Sequence, residues 1–159
     1  MSNDLALQMR QGMRRLASGV SIVTAIDPDG KRFAMTASSV TSVSDAPPSL
    51  LVCIHKETRI SRAMERGSQF CINVLAQNQQ ALSVNCSLPE TEMSRFNLGD
   101  WKVDNRSGLC YLPAAQSVFF CRKQQAVEYG THVVFIGDIT AVKIAGDINP
   151  LIYYDGQYR

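Results

Sequence analysis

Residues 35–48 read Met35-Thr36-Ala37-Ser38-Ser39-Val40-Thr41-Ser42-Val43-Ser44-Asp45-Ala46-Pro47-Pro48. Six of these fourteen residues are Ser or Thr, and Asp45 alone is charged. Hydroxyls of this kind bond readily to nearby backbone groups, which disfavours a buried strand or a helix interior. Two readings stay open for the row. One is a semi-extended segment laid along a flat polar ligand, its hydroxyls and amides reading the ligand edge; the other is a Ser/Thr-rich edge strand or loop.

The flanks set the row in a β context. Upstream, Val20–Ile26 is rich in β-branched residues and reads as a strand. Asp27-Pro28-Asp29-Gly30 carries the residues of a type I turn, and Arg32–Ala37 returns as the partner strand. Downstream, Pro47-Pro48 interrupts ladder donation before a buried strand at Ser49–Ile54. A polar bend at His55–Thr58 precedes a short helix over Arg59–Arg66, with Ile60, Ala63 and Met64 inward and Gly67 ending it.

Further out, Gln69–Leu75 reads as a strand and Asn78–Val84 as a helix, while residues 86–104 lack clear periodicity. Ala115–Glu128, His132–Ile144 and Leu151–Tyr154 complete the strands. At the other end, Leu5, Met9, Met13 and Leu16 mark one face of an amphipathic helix, capped at Asn3 and stopped by Gly19. Strands dominate and no βαβ alternation appears, so the class is a mainly β barrel with short peripheral helices. At 159 residues the chain has the length of a single domain, 1–159.

Composition removes several function classes. A net charge of +2, with the basic residues scattered, argues against nucleic acid. The cysteines number five and show no C-x-x-C spacing, so they read as packed thiols in a reducing compartment. No apolar run approaches a membrane span, and the basic N-terminus lacks a signal-peptide core. A cytoplasmic location is therefore expected. No P-loop, G-x-S-x-G, H-E-x-x-H or G-x-G-x-x-G occurs, and His55 and His132 are the only histidines, so neither hydrolysis nor a metal site is expected.

Two smaller signals remain. Lys56, Thr58 and Arg59 bring two cations and a hydroxyl to a helix start, which reads either as a phosphate site or as a solvated bend. Asn73 interrupts an apolar strand and needs partners, either in a turn or on a ligand.

Taken together, the pieces 16–25 (LASGVSIVTA), 35–54 (MTASSVTSVSDAPPSLLVCI), 69–75 (QFCINVL), 94–96 (SRF), 130–139 (GTHVVFIGDI) and 150–159 (PLIYYDGQYR) resemble the short-chain flavin reductase family. These are small NAD(P)H:flavin oxidoreductases that include the reductase components of two-component flavin monooxygenases. The resemblance implies an FMN-binding split β-barrel of Greek-key type, acting as a homodimer. It implies hydride transfer from NADH or NADPH to FMN or FAD, with the reduced flavin passed to a separate oxygenase. Thr36, Ala37, Ser38, Ser39, Ser42 and Val43 would then line the flavin ring and its chain. Cys53, Lys56, Thr58 and Arg59 would meet the phosphate end, with Asn73 as a further contact. Ser94, Arg95 and Phe96 would close over the ligand, and His132 would position the nicotinamide. The chain has Gly130-Thr131-His132 where the family often has Gly-Asp-His, and Ser94-Arg95-Phe96 where it often has Asp-Arg-Phe. Ending at Arg159, it is expected to draw no contact from a longer tail. The alternative from another class is a non-catalytic protein that holds FMN for storage or electron transfer.

Overall fold

The computed structural model describes residues 2–89 and 92–159. The chain opens with α1 (Ser2–Met13), followed by β1 (Ser18–Gly19), β2 (Ser21–Ile26), β3 (Arg32–Ala37), β4 (Val40–Asp45) and β5 (Pro48–His55). Next come α2 (Arg59–Arg66), β6 (Gln69–Val74), a 3-10 turn running into α3 (Gln80–Asn85), and α4 (Glu92–Arg95). The remaining strands are β7 (Lys102–Val103), β8 (Cys110–Tyr111), β9 (Ser117–Tyr129), β10 (His132–Ile144), β11 (Ile152–Tyr154) and β12 (Gln157–Tyr158). The fold is mainly β.

Seven strands form one antiparallel sheet in the order β3-β2-β6-β9-β10-β5-β4. The β2–β3 hairpin is set by its turn. Asp27 Oδ1 accepts from the amides of Asp29 and Lys31, both at 2.9 Å, and Gly30 takes the left-handed φ of +84° that closes the turn.

The order has one consequence for function. β3 and β4 lie at opposite edges of the sheet, yet only Ser38 and Ser39 separate them in the chain. Three Cα–Cα steps, from Ala37 to Val40, reach at most about 11 Å. The sheet must therefore curl until its two edges meet at this link. Among the described residues no ladder joins β3 to β4, so the curl is an open seam and not a closed barrel.

Two apolar clusters pack on the two faces of the curled sheet. One holds Val23, Phe33, Val52, Ile54, Phe70, Ile72 and Phe135, and α2 seals it with Ile60, Ala63 and Met64. The other holds Ile22, Ala34, Leu75, Leu109, Leu112 and Phe120, covered by the segments between β6 and β9. The α2 limits match the sequence reading, because Thr58 caps its start and the Gly67 amide donates to Ala63 O at 2.8 Å.

The structure differs from expectation at α1. The helix starts at Ser2, so the cap read at Asn3 falls inside it, and the Asn3 side chain lies outside the described residues. Its apolar face is not packed: Leu5 and Met9 are 70% and 62% exposed. β1, β7, β8 and β12 are two-residue strands, too short to leave a periodic signal in the sequence.

Candidate functional site

The hydroxyl row occupies the seam and the edge strand that leaves it. Ser38 and Ser39 are exposed at the link. Ser39 fastens the seam: its Oγ donates to Cys53 O at 2.7 Å, and its backbone O accepts from the Cys53 amide at 3.4 Å. Along β4, Thr41 to Asp45 are all exposed, with the ladder to β5 shifting register between Ser42 and Ser44. Val43 is thus a bulge residue, 48% exposed, directed away from the regular pleat. Edge position and an open seam leave Ser38, Thr41 and Ser42 exposed on this row, while the Ser39 hydroxyl is bonded to Cys53.

A cavity of about 270 Å³ adjoins β3 and the start of α2, lined by Met35, Glu57, Thr58, Arg59, Ile60, Pro89 and Arg95, with the Glu57 carboxylate paired to Arg62 at 3.4 Å. Arg59 is the first residue of α2 and is exposed. Arg95 comes from α4 and is fixed from two sides, its guanidinium donating to Ala34 O at 2.6 Å and Leu88 O at 3.0 Å. Two guanidiniums at a helix N-terminus form a donor set that suits a phosphate, so these residues fit the phosphate end of a flavin. Thr58 lines the same cavity, but its hydroxyl is committed, donating to His55 O at 2.8 Å and accepting from the Ser61 amide at 3.2 Å.

Four expected contacts sit elsewhere. Lys56 does not join Arg59; it reaches across the sheet to Glu128, Nζ to Oε1 at 2.9 Å, and this partner raises its pKa. Asn73 is buried and spent on the protein. Its Nδ2 donates to Ile22 O at 3.1 Å, and its Oδ1 accepts from the Leu112 amide at 2.9 Å, so it is a structural tie and not a ligand contact. Phe96 packs edge-on against Trp101, ring centroids 5.2 Å apart, and is half-buried against the second core cluster. Thr36 turns its hydroxyl to Ser83 O at 2.6 Å, on the opposite side of β3 from the first core cluster.

The others are placed as follows. Ala37 is buried in the first core cluster behind the seam. Cys53 is half-buried on β5 beside Ser39, and Ser94 is half-buried in α4, its O accepting from Asn85 Nδ2 at 3.4 Å. His132 begins β10 and pairs in register with His55, the two rings meeting edge-on at 5.2 Å. Its Nδ1 lies 2.8 Å from Thr131 Oγ1 and the residue is exposed. Since His55 is two residues beyond Cys53, His132 stands at the open end of the strands that hold Ser39.

Met35 and Pro89 of the cavity escaped the sequence reading because an apolar cavity wall has the pattern of ordinary core. All five cysteines are free thiols. Burial pushes Cys71 well above the usual thiol range and Cys121 up to about 12. Among the described residues, no His, Cys, Asp and Glu side chains gather in the number a metal ion needs, and no helix is long and apolar enough to cross a membrane.

Comparison with known proteins gives a consistent set of relatives. The profile of the flavin reductase like domain family matches residues 13–159. The chain is 39% identical, over 150 residues, to the reductase component of the FADH(2)-dependent resorcinol hydroxylase of a Rhizobium species, spanning 94% of this chain and 83% of that protein. It is 38% identical over 150 residues to an FMN reductase (NADH), RutF, of Variovorax paradoxus, spanning 94% and 82%. Among solved structures, the flavin reductase component of a bacterial two-component tryptophan halogenase superposes with a TM-score of 0.89 at 28% identity, covering 97% of this chain and 96% of that one.

Proposed function

The chain belongs to the flavin reductase like domain family, and from that premise we propose that it is an NAD(P)H:flavin oxidoreductase that reduces FMN or FAD for a separate oxygenase. The observation that carries this reading is that β3, which lines the cavity holding Arg59 and Arg95 through Met35, runs on into the exposed Ser38–Ser39 link. Met35 of the cavity and Ser38 of the seam are three residues apart on one extended strand, about 10 Å. A flavin laid along β3 would set its phosphate by the guanidiniums and its ring by the hydroxyls. On this reading the fold is a split barrel, divided at the seam, and residues 1–159 act as one domain.

When bound, the flavin accepts a hydride from a reduced nicotinamide, and that chemistry belongs to the two cofactors. The residues of the chain bind and orient. Arg59 and Arg95 would hold the phosphate. Ser38, Ser39 and Ser42 would offer hydroxyls, and the backbone beside Val43 polar groups, to the ring edge. Cys53 backs Ser39, and Ala37 fills the core behind it. His132 would position the nicotinamide at the open end of β5 and β10. Orientation of this kind can supply much of a barrier reduction without an acid–base pair.

The relatives support the partners of the reaction. The name of the Variovorax protein joins FMN with NADH, the Rhizobium protein is the reductase component of a FADH(2)-dependent hydroxylase, and the halogenase protein is the flavin reductase component of a two-component enzyme. NADH with FMN is therefore the first pairing to try. The exposed apolar face of α1 supports a homodimer in which a second copy covers it. The free thiols suit a cytoplasmic setting.

The test is steady-state oxidation of NADH and of NADPH with added FMN and with added FAD. Acceleration by free flavin, saturating in both substrates, is expected. A protein that retains flavin yet shows no turnover with any pairing would replace this reading with flavin storage.

A further inference from the structure

A polar groove opens where the second core cluster ends. On β9, Phe120 is buried in that cluster, and two residues further on Arg122 takes the same face in the open. Gln69 of β6 pairs opposite Arg122, and the two line a cavity of about 590 Å³ that runs over to residues 140–143 of β10. Its charged lining is Asp104, Arg106, Arg122 and Lys143, and it shares no residue with the cavity at Arg59 and Arg95.

The groove is electropositive. Arg106, Arg122 and Lys143 are exposed, while Asp104 is already held by the Ser107 hydroxyl at 2.7 Å and the Ser107 amide at 2.9 Å. Arg122 meets Asp138 only at 3.9 Å, and Asp138 also accepts from Gln124 Nε2 at 2.9 Å. Among the described residues, neither Arg106 nor Lys143 forms an ion pair. Lys143 instead lies over the ring of Tyr111, 5.3 Å from its centroid.

The same groove reaches an unpaired backbone edge. β5 accompanies β10 only as far as Asp138, opposite Ser49; among the described residues, β10 is laddered beyond that point to β9 alone. Its register shifts at Thr140, whose hydroxyl donates to Phe120 O at 3.1 Å, and Val142 is 47% exposed beyond the shift. An open edge of this kind presents N–H and C=O groups to an incoming strand.

We propose that this groove docks an extended acidic segment of the oxygenase that takes the reduced flavin; the inference rests on the flavin reductase reading above. The segment adds to the open edge of β10 and sets its carboxylates against Arg106, Arg122 and Lys143. Charge selects the chemistry, because exposed cations facing one committed carboxylate attract an acidic partner. The edge selects a polypeptide over a small anion, since a backbone ladder needs a strand. A second copy of the chain fits poorly: pairing β10 with β10 would bring the cations of two chains together, and like charges facing across strands repel. The position suits delivery. Arg122, Asp138, Ser49 and Ser44 stand in register across β9, β10, β5 and β4, so the groove lies about 14 Å from the strand that leaves the seam.

The probe is a fluorescent peptide of alternating Glu and Thr, followed by anisotropy on the full chain at low salt. An Arg106→Ala/Lys143→Ala variant should bind it at least about threefold more weakly, as expected for two exposed charge contacts. An Arg106→Lys/Lys143→Arg exchange, which keeps both charges, should bind like wild type. So should Arg10→Ala/Arg15→Ala, which removes the same charge from exposed positions elsewhere. A Glu–Pro peptide of equal length and charge lacks the amides for a ladder and should bind several-fold more weakly. NADH oxidation with FMN should be the same in all variants. No binding to wild type, equal losses in the two Ala variants, or equal affinity for the Glu–Pro peptide would each overturn the proposal. Displacement of the peptide by equimolar inorganic phosphate would make the groove a small-anion site, and loss of a dimer in the Arg106→Ala/Lys143→Ala variant would put a second copy there; either result also overturns it. Peptide binding needs no turnover. A chain that binds the peptide through these residues yet oxidises NADH with no flavin would sink the reductase reading and leave the groove's preference for an acidic strand standing.

Discussion

At Asn73 a single amide holds three elements together. It links β6 to the Ile22 carbonyl of β2 and to the Leu112 amide beyond β8. Asn73→Leu would keep the volume but strand both backbone groups, at about 1–3 kcal/mol for each buried group left unpaired. The urea midpoint should fall, with FMN affinity unchanged in the folded protein; a specific loss of FMN binding would restore it to the ligand site. Arg59 makes the converse case. Its removal by Arg59→Ala should weaken FMN by about 1–3 kcal/mol, the range for a hydrogen bond to a charged group. Riboflavin, lacking the phosphate, should be little affected, and equal losses for the two would move the phosphate elsewhere. His132 is exposed and its imidazole bonds only locally, to Thr131. His132→Ala should therefore leave the melting temperature in place and lower kcat/KM for NADH about tenfold, or about 1.4 kcal/mol of positioning. A fall in melting temperature with intact kinetics would mark the histidine as structural.

Among the elements, β10 is the best read and the most constrained. Its limits, His132–Ile144, follow from an apolar run opened by Gly130. What the run could not reveal is the reason for Gly137. β10 slips register against β9 at this point, and a Cβ there would lie 2.7 Å from Phe70 Cζ and 3.0 Å from Cys121 Cβ. Phe70 is fully buried, so it has little room to yield. Gly137→Ala should destabilise by about 1–3 kcal/mol, as overpacked cores do, and an unchanged denaturation midpoint would show that the ring can move. α2 was legible to the residue because its signals are local: a Thr cap, inward apolar positions at helical spacing and a terminal Gly. α1 was legible as a helix by the same logic, but its spacing carries no information on what covers the apolar face.

For the whole molecule, acid stability offers a test. Burial would raise the Asp104 carboxyl, but hydrogen bonds from the Ser107 hydroxyl at 2.7 Å and amide at 2.9 Å, aided by Lys143, hold it below the usual carboxylate range. A depressed folded-state pKa stabilises above the unfolded value and is lost as the pH falls through the folded value. Stability should thus drop on acidification below about pH 4. Asp104→Asn should flatten that slope, and an identical acid profile in the variant would rule the carboxylate out. The sequence by itself determined the β class, the hairpin at Asp27–Gly30, α2 and most strand limits, because each rests on periodicity or on turn residues close in the chain. It also marked Ser38, Ser39 and Arg59, whose polar character needs no partner to be seen. Tertiary structure alone decided that β3 and β4 become opposite edges, which turns a two-residue link into a seam. It also sent Lys56 to Glu128 and Asn73 to Ile22, and drew Arg10 and Arg15 alongside Tyr154. Those partners lie far along the chain or on neighbouring strands, and a side chain's choice among distant partners is fixed only when the sheet curls and the core fills.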